Sequence, residues 1–127
     1  MNNNESNIQI ENVNCNKNIL LSIINLATTE INGVAGISKV GLPIFKNKDF
    51  SGIKVKFNND KTITIDVYID VYHNYNAPDV CFRVQENIKN NIMSMINLKS
   101  DNINIHIVNV IIGKEENNEN TSTNSSF

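Results

Sequence analysis

The 127-residue chain predicts an α+β two-layer sandwich: a mainly antiparallel sheet with two amphipathic helices on one face. Three patterns carry this expectation. Residues 53–72 alternate apolar and polar, as a half-buried hairpin does. Two stretches, 17–32 and 77–96, repeat apolar residues at three and four. Together they describe one sheet with a single apolar face and two helices able to cover it.

Taken in order, Met1 to Asn7 is polar and Asn-rich and is expected to be a disordered tail. Ile8 to Val13 reads as a short strand, and Asn14 or Asn16 is placed to cap the helix that follows. In that helix Leu20, Ile23, Ile24, Ala27 and Ile31 form one stripe. Gly33 stands where a left-handed helix terminus needs a residue without Cβ. Val34 to Val40 reads as a brief strand, and the residues to Lys48 as a loop. Ile53, Val55 and Phe57 then alternate with Lys54 and Lys56. Asn58-Asn59-Asp60-Lys61 is turn chemistry. Ile63, Ile65, Val67, Ile69 and Val71 alternate with Thr64, Asp66, Tyr68, Asp70 and Tyr72.

Asn76-Ala77-Pro78-Asp79 opens the second helix with a cap, a first-turn proline and an acid at the positive dipole end. Its stripe is Val80, Cys81, Val84, Ile88, Ile92, Met95 and Ile96, and Asn97 closes it in a left-handed turn. Ile103, Ile105 and Ile107 begin a last strand. Its phase slips at Val108 before Val110 and Ile112, the mark of a bulge or of a strand buried on both faces. Lys114 to Phe127 is expected to be a second disordered tail, leaving one domain over 8–113.

Composition narrows the function. The net charge is −2, with one Arg against ten Lys. The segment 8–113 holds ten bases and nine acids, so the acidity lies in the tails. Surfaces that grip nucleic-acid backbones are normally basic and richer in Arg. The chain has 26 Asn and 20 Ile, residues with AT-rich codons, and genome bias accounts for both. No signal peptide is visible at Met1-Asn2-Asn3-Asn4-Glu5, and no apolar run approaches the roughly 20 residues of a membrane span. Cys15 and Cys81, 66 positions apart, read as reduced cytosolic thiols.

No catalytic centre, metal site or cofactor motif emerges. Asp66 and Asp70 share a strand face with Cβ atoms about 13 Å apart, too far for an acid/base couple. Cross-strand pairing with Lys54 and Lys56 is the simpler role for these charges. The sharper reading is a docking face of Lys54, Lys56, Asp66, Tyr68, Asp70 and Tyr72, since tyrosines serve as interface anchors. His73 and His106 are lone histidines, read as a turn residue and a strand side chain. Cys81 reads as a buried inert thiol. Cys15 lies near a helix start that can lower its pKa, without a partner base. No serine stands in a nucleophile elbow. The glycines match neither the phosphate-loop nor the dinucleotide pattern. Lys39, Lys46, Lys48, Lys54 and Lys56 form a basic cluster, either solvated loop charge or a contact for anionic lipid or an acidic partner.

Four stretches resemble the alkaline shock protein family, the Gls-type envelope stress response proteins, and within it the small YloU-like branch. They are the first helix closing on Glu30-Ile31-Asn32-Gly33-Val34; Asp49-Phe50-Ser51-Gly52-Ile53-Lys54-Val55; Ile65-Asp66-Val67-Tyr68-Ile69-Asp70-Val71-Tyr72; and Val84-Gln85 followed by Ile103 to Val110. Where the family usually has Gly after the central strand and after the second helix, this chain has His73-Asn74 and Asn97. The resemblance implies a non-catalytic bacterial interaction or scaffold protein tied to envelope, fatty-acid or phospholipid homeostasis. It implies protein partners, among them a small membrane-anchor protein, and allows a homo-oligomer. It places the protein in the cytoplasm, reaching the inner membrane face only through a partner, with no nucleic acid. The alternative is a small α+β nucleic-acid-binding domain using Tyr68, Tyr72, Lys54 and Lys56, against which Asp66 and Asp70 would repel phosphates.

Overall fold

The computed structural model describes residues 7–10, 13–38 and 52–113. Eight elements follow one another: β1 (Asn7–Ile10), β2 (Val13–Asn16), α1 (Lys17–Thr29), β3 (Val34–Ile37), β4 (Ile53–Phe57), β5 (Ile63–Tyr72), α2 (Ala77–Ile96) and β6 (Ser100–Ile111). The α+β expectation is borne out. Residues 1–6 of the first tail, the second tail from Lys114, the loop after Val40 and Lys39, Lys46 and Lys48 lie outside the described residues. Asn7, expected in the first tail, instead begins β1 and pairs with Asn16.

β5 is the centre of the main sheet. β6 runs parallel to it along one side for its full length, from Ile63↔Ser100 to Tyr72↔Ile111. The other side is shared in succession: β4 pairs antiparallel with 63–67, and β3 antiparallel with 69–71. At the junction Ser38 N donates to Tyr68 O (2.8 Å) and Tyr68 N to Gly52 O (2.8 Å). The β5–β6 pair is parallel because α2 crosses over between them, and such a connection returns the chain in the same direction. The expected slip in β6 is a bulge: Ile69 faces Ile107, but Asp70 faces Asn109, leaving Val108 unmatched.

The alternation read from the sequence sets the two faces. Ile63, Ile65, Val67, Ile69 and Val71 are 0–1% exposed and pack with Ile53 and Val55 under the helices. α1 contributes Leu20, Leu21, Ile23, Ile24 and Ala27, and α2 contributes Val80, Val84, Ile88 and Ile92. The buried row of α2 is a strict i+4 series. Cys81 and Met95, expected on the stripe, each stand one residue, about 100°, from a member of the row or its continuation, Cys81 after Val80 and Met95 before Ile96. Cys81 is only half-buried, and Met95 is 62% exposed.

The N-terminal segment differs from expectation. Instead of one strand over 8–13 it forms a two-stranded hairpin, β1 against β2, with Ile8↔Cys15 and Ile10↔Val13 in register. The reason is in the phase. Apolar residues occupy even positions at Ile8 and Ile10 but odd ones at Val13 and Cys15, and a single strand cannot hold both on one face.

The helix ends follow their chemistry. Asn76 Oδ1 accepts from Asp79 N (2.9 Å), capping α2. Asn97 is left-handed (φ 54°), and its N–H donates to Met93 O (3.0 Å). The 73–74 turn needs no left-handed residue, and His73 N continues the parallel ladder to Ile111 O (3.0 Å). In the β4–β5 turn Lys61 takes the left-handed position (φ 69°). Gly33 has φ 101°, and a Cβ there would lie 2.7 Å from Val80 Cγ2 and 2.9 Å from the Tyr75 ring. Asn87 ties the helices together, donating to Ala27 O (2.8 Å) and Glu30 Oε2 (2.6 Å).

Candidate interaction face

Because side chains alternate along β5, burying its odd residues sends Thr64, Asp66, Tyr68, Asp70 and Tyr72 to the face opposite the helices. All five are half-buried by their neighbours on the sheet. β4 adds Lys54 opposite Asp66 and Lys56 opposite Thr64, both exposed. The six residues expected to share a face therefore do share one. Among the described residues no helix covers it.

The parallel register of β6 completes this face with residues that sequence reasoning did not assign to it. Asn104, His106 and Asn109 stand opposite Asp66, Tyr68 and Asp70. The Asp66 carboxylate accepts from Asn104 Nδ2 (3.2 Å) and meets His106 Nε2 (3.0 Å). The His106 ring stacks on Tyr68 with centroids 4.4 Å apart and planes 15° apart. Asp70 accepts from Asn109 Nδ2 (3.0 Å). The bulge matters here: by skipping Val108 it brings Asn109, and not a valine, beside Asp70. The apolar series Ile103, Ile105, Ile107 was the available signal, since it leaves 104 and 106 on the polar side.

The charges settle differently from the expected cross-strand lysine pairs. Lys54 is in register with Asp66, but the Asp66 carboxylate meets His106 Nε2 (3.0 Å), and among the described residues the ion pair between Lys or Arg and a carboxylate is Arg83–Asp79 (2.8 Å), whose exposed side chains stand one helical turn apart. Asp66 is thus engaged from the β6 side. The ammonium groups of Lys54 and Lys56 stay with solvent on the flank of the face.

The arrangement is suited to binding. A flat aromatic stack sits at the middle of the sheet, with carboxylates held by amides on either side and lysines along one edge. Asp66 and His106 lie together, but among the described residues no group of three or more His, Cys, Asp or Glu is placed to hold a metal. Cys81 is on α2, away from this face, and its burial pushes the thiol pKa up and keeps it protonated. Cys15 lies in β2 immediately before α1. No helix among the described residues is long and apolar enough to cross a membrane.

Comparison with known proteins gives a consistent assignment. The model of the alkaline shock protein 23 family, described by its cell envelope-related function, matches residues 5–112. The chain is 38% identical over 93 residues to the uncharacterized protein YqhY of Bacillus subtilis, covering 69% of this chain and 68% of that one. It is 24% identical over 98 residues to the uncharacterized protein Spy1535 of Streptococcus pyogenes, covering 76% of each. Among solved structures, MamM CTD M250L superposes with a TM-score of 0.53 at 15% identity, over 72% of this chain and 95% of that one. MamM CTD H264E-E289H gives 0.54 at 16%, over 76% and 95%. At such identity the likeness is one of α+β fold alone. The match across 5–112 bears out the resemblance read from the four stretches, and the chain belongs to the alkaline shock protein 23 family, whose function is related to the cell envelope.

Proposed function

We propose that this protein is a non-catalytic interaction protein of the cell envelope that docks a protein partner on the open face of its sheet. The observation that supports this most directly is the Tyr68–His106 stack, half-buried between Asp66 and Asp70 with no helix of the described residues over it. Tyrosines so placed present a large rigid area at low entropic cost, and the fixed carboxylates orient a partner's donors.

A membrane role follows through the partner. Anionic leaflets attract each nearby basic residue by only about 1 kcal/mol. Lys54 and Lys56 alone hold the chain weakly at such a surface. Recruitment by a membrane-anchored protein reconciles a chain without a spanning helix among its described residues with an envelope-related family. Contribution to fatty-acid or phospholipid homeostasis would run through the same partner. Asp66 and Asp70 on this face count against a nucleic-acid ligand.

The test compares purified protein with cells. Purified chain should not co-sediment with anionic liposomes at physiological salt. In the native cell part of it should fractionate with membranes, and Tyr68→Ala with Tyr72→Ala should abolish that fraction while a cooperative melt is kept. Asp70→Arg should act in the same direction without removing a ring. Firm liposome binding, or unchanged fractionation of both variants, would overturn this reading.

A further inference from the structure

We propose that the outer edge of β6 pairs antiparallel with the same edge of a second copy of this chain, joining the two sheets across a two-fold axis. This surface is separate from the Tyr68 face and does not depend on it. β6 is twelve residues long, and among the described residues its only strand partner is β5. Edge strands in soluble proteins are usually blunted by lysine, proline, inward charge or shortness. Residues 103–112 read Ile-Asn-Ile-His-Ile-Val-Asn-Val-Ile-Ile. They hold no Asp, Glu, Lys, Arg or Pro, and seven of the ten are Ile or Val.

The two halves of this edge differ. Near its start Gln85 of α2 donates to Ile103 O (2.8 Å), and Ile103 and Ile105 pack against the core. From Ile107 onward the strand is exposed. Ile107 is 39% exposed, Val110 57% and Ile112 82%. Phe82 lies one turn before Gln85 on the same flank of α2 and is 59% exposed. An exposed aromatic side chain thus shares the flank of α2 from which Gln85 reaches this strand, and the outward backbone groups beyond Ile103 are left to water or to another strand.

The occupant follows from composition. The chain's own residues 114–127 contain a single apolar residue, Phe127, and four charges, so they cannot replace what this edge would bury. A second β6 can. It is equally long, and over 103–112 it is equally apolar and free of Asp, Glu, Lys and Arg, so like-charge repulsion is absent when that stretch meets itself, as an isologous interface requires. Centred on the exposed half, the axis passes beside Val110, and a six-residue ladder spans about 20 Å.

Sedimentation equilibrium of the full chain tests this. The native protein should show a concentration-dependent dimer. Val110→Lys and Val110→Glu should each weaken it at least tenfold with the melting temperature retained, because Val110 is already largely in water. Mixing the two variants should restore a dimer, since opposite charges then meet at the axis. Ile112→Lys serves as the second disrupting variant should either substitution at 110 fail to melt cooperatively. A native chain that stays monomeric at every concentration reached would overturn the proposal. So would a Val110→Lys chain that dimerises like the native one, or a dimer lost only in the Tyr68→Ala, Tyr72→Ala variant.

Discussion

Single positions on β5 separate the two layers of the sandwich sharply. Val67 is fully buried, whereas Thr64 stands half-buried on the other face, where its hydroxyl accepts from Asn58 Nδ2 (3.0 Å). Val67→Asp would bury a carboxylate without a partner and should cost about 3–5 kcal/mol, enough to abolish or nearly abolish the native state. Thr64→Asp keeps an acceptor for Asn58 and should cost less than about 1 kcal/mol. Comparable urea midpoints for the two variants would reverse the assigned faces. In the β4–β5 turn, Asp60 Oδ1 accepts from Thr62 Oγ1 (2.6 Å) and from Thr62 N (3.2 Å), and these bonds hold its carboxyl below the usual carboxylate range. A depressed folded pKa contributes stability above the unfolded value that is lost as pH falls through the folded one. Thr62→Val should therefore move the Asp60 titration, followed by NMR, back up toward that range; an unmoved midpoint would assign the shift elsewhere. The residues of β5 were legible because an alternation of ten residues has one phase. His106, Asn104 and Asn109 were not legible as partners of Asp66, Tyr68 and Asp70. Their register is fixed by how α2 carries the chain across the sheet, and no local pattern encodes it.

Elements carry their own signals at their ends more than along their length. Gly33 combines a left-handed backbone with close approach of Val80 and Tyr75, so Gly33→Ala meets both strain and overlap. It should cost about 2–4 kcal/mol, the sum of a residue forced into the left-handed region and an overpacked core. Asn97→Gly at the end of α2 should be neutral or slightly stabilising, since glycine is the commoner residue in that conformation. Asn76→Ala removes the cap acceptor and should cost about 1 kcal/mol. Thermal melts of the three variants give the order Gly33→Ala, Asn76→Ala, Asn97→Gly, and a different order would mean that packing outweighs the backbone at these ends. These positions were legible because capping and positive φ select few residue types. The β1–β2 hairpin was missed for the opposite reason. Two four-residue strands joined by Glu11-Asn12 resemble one short strand unless the change of phase between Ile10 and Val13 is weighed. On α2, counting Cys81 and Met95 into the apolar stripe made it wider than the i+4 row that the sheet accepts.

At the scale of the molecule, the consequence of placing β5 between partners on both sides concerns solvent exchange. β6 closes one side from Ile63 to Tyr72, and β4, the Ser38–Tyr68–Gly52 bonds and β3 close the other. Each amide of β5 is thus held within the sheet, and none can meet deuterium by fraying at an edge. Their exchange should require opening of the whole domain, so their protection should report the global unfolding free energy. β6 should behave as a strand of two kinds: amides turned toward β5 exchange with the core, and those turned outward from residue 105 onward exchange orders of magnitude faster. Raising the protein concentration should slow that second set alone, because a joined edge shields those amides and leaves the others as they were. A uniform profile along β6 would mean that its two sides are not distinct in solution. The centre of this sheet is then a clock for the fold, and its rim a gauge of what the fold has met.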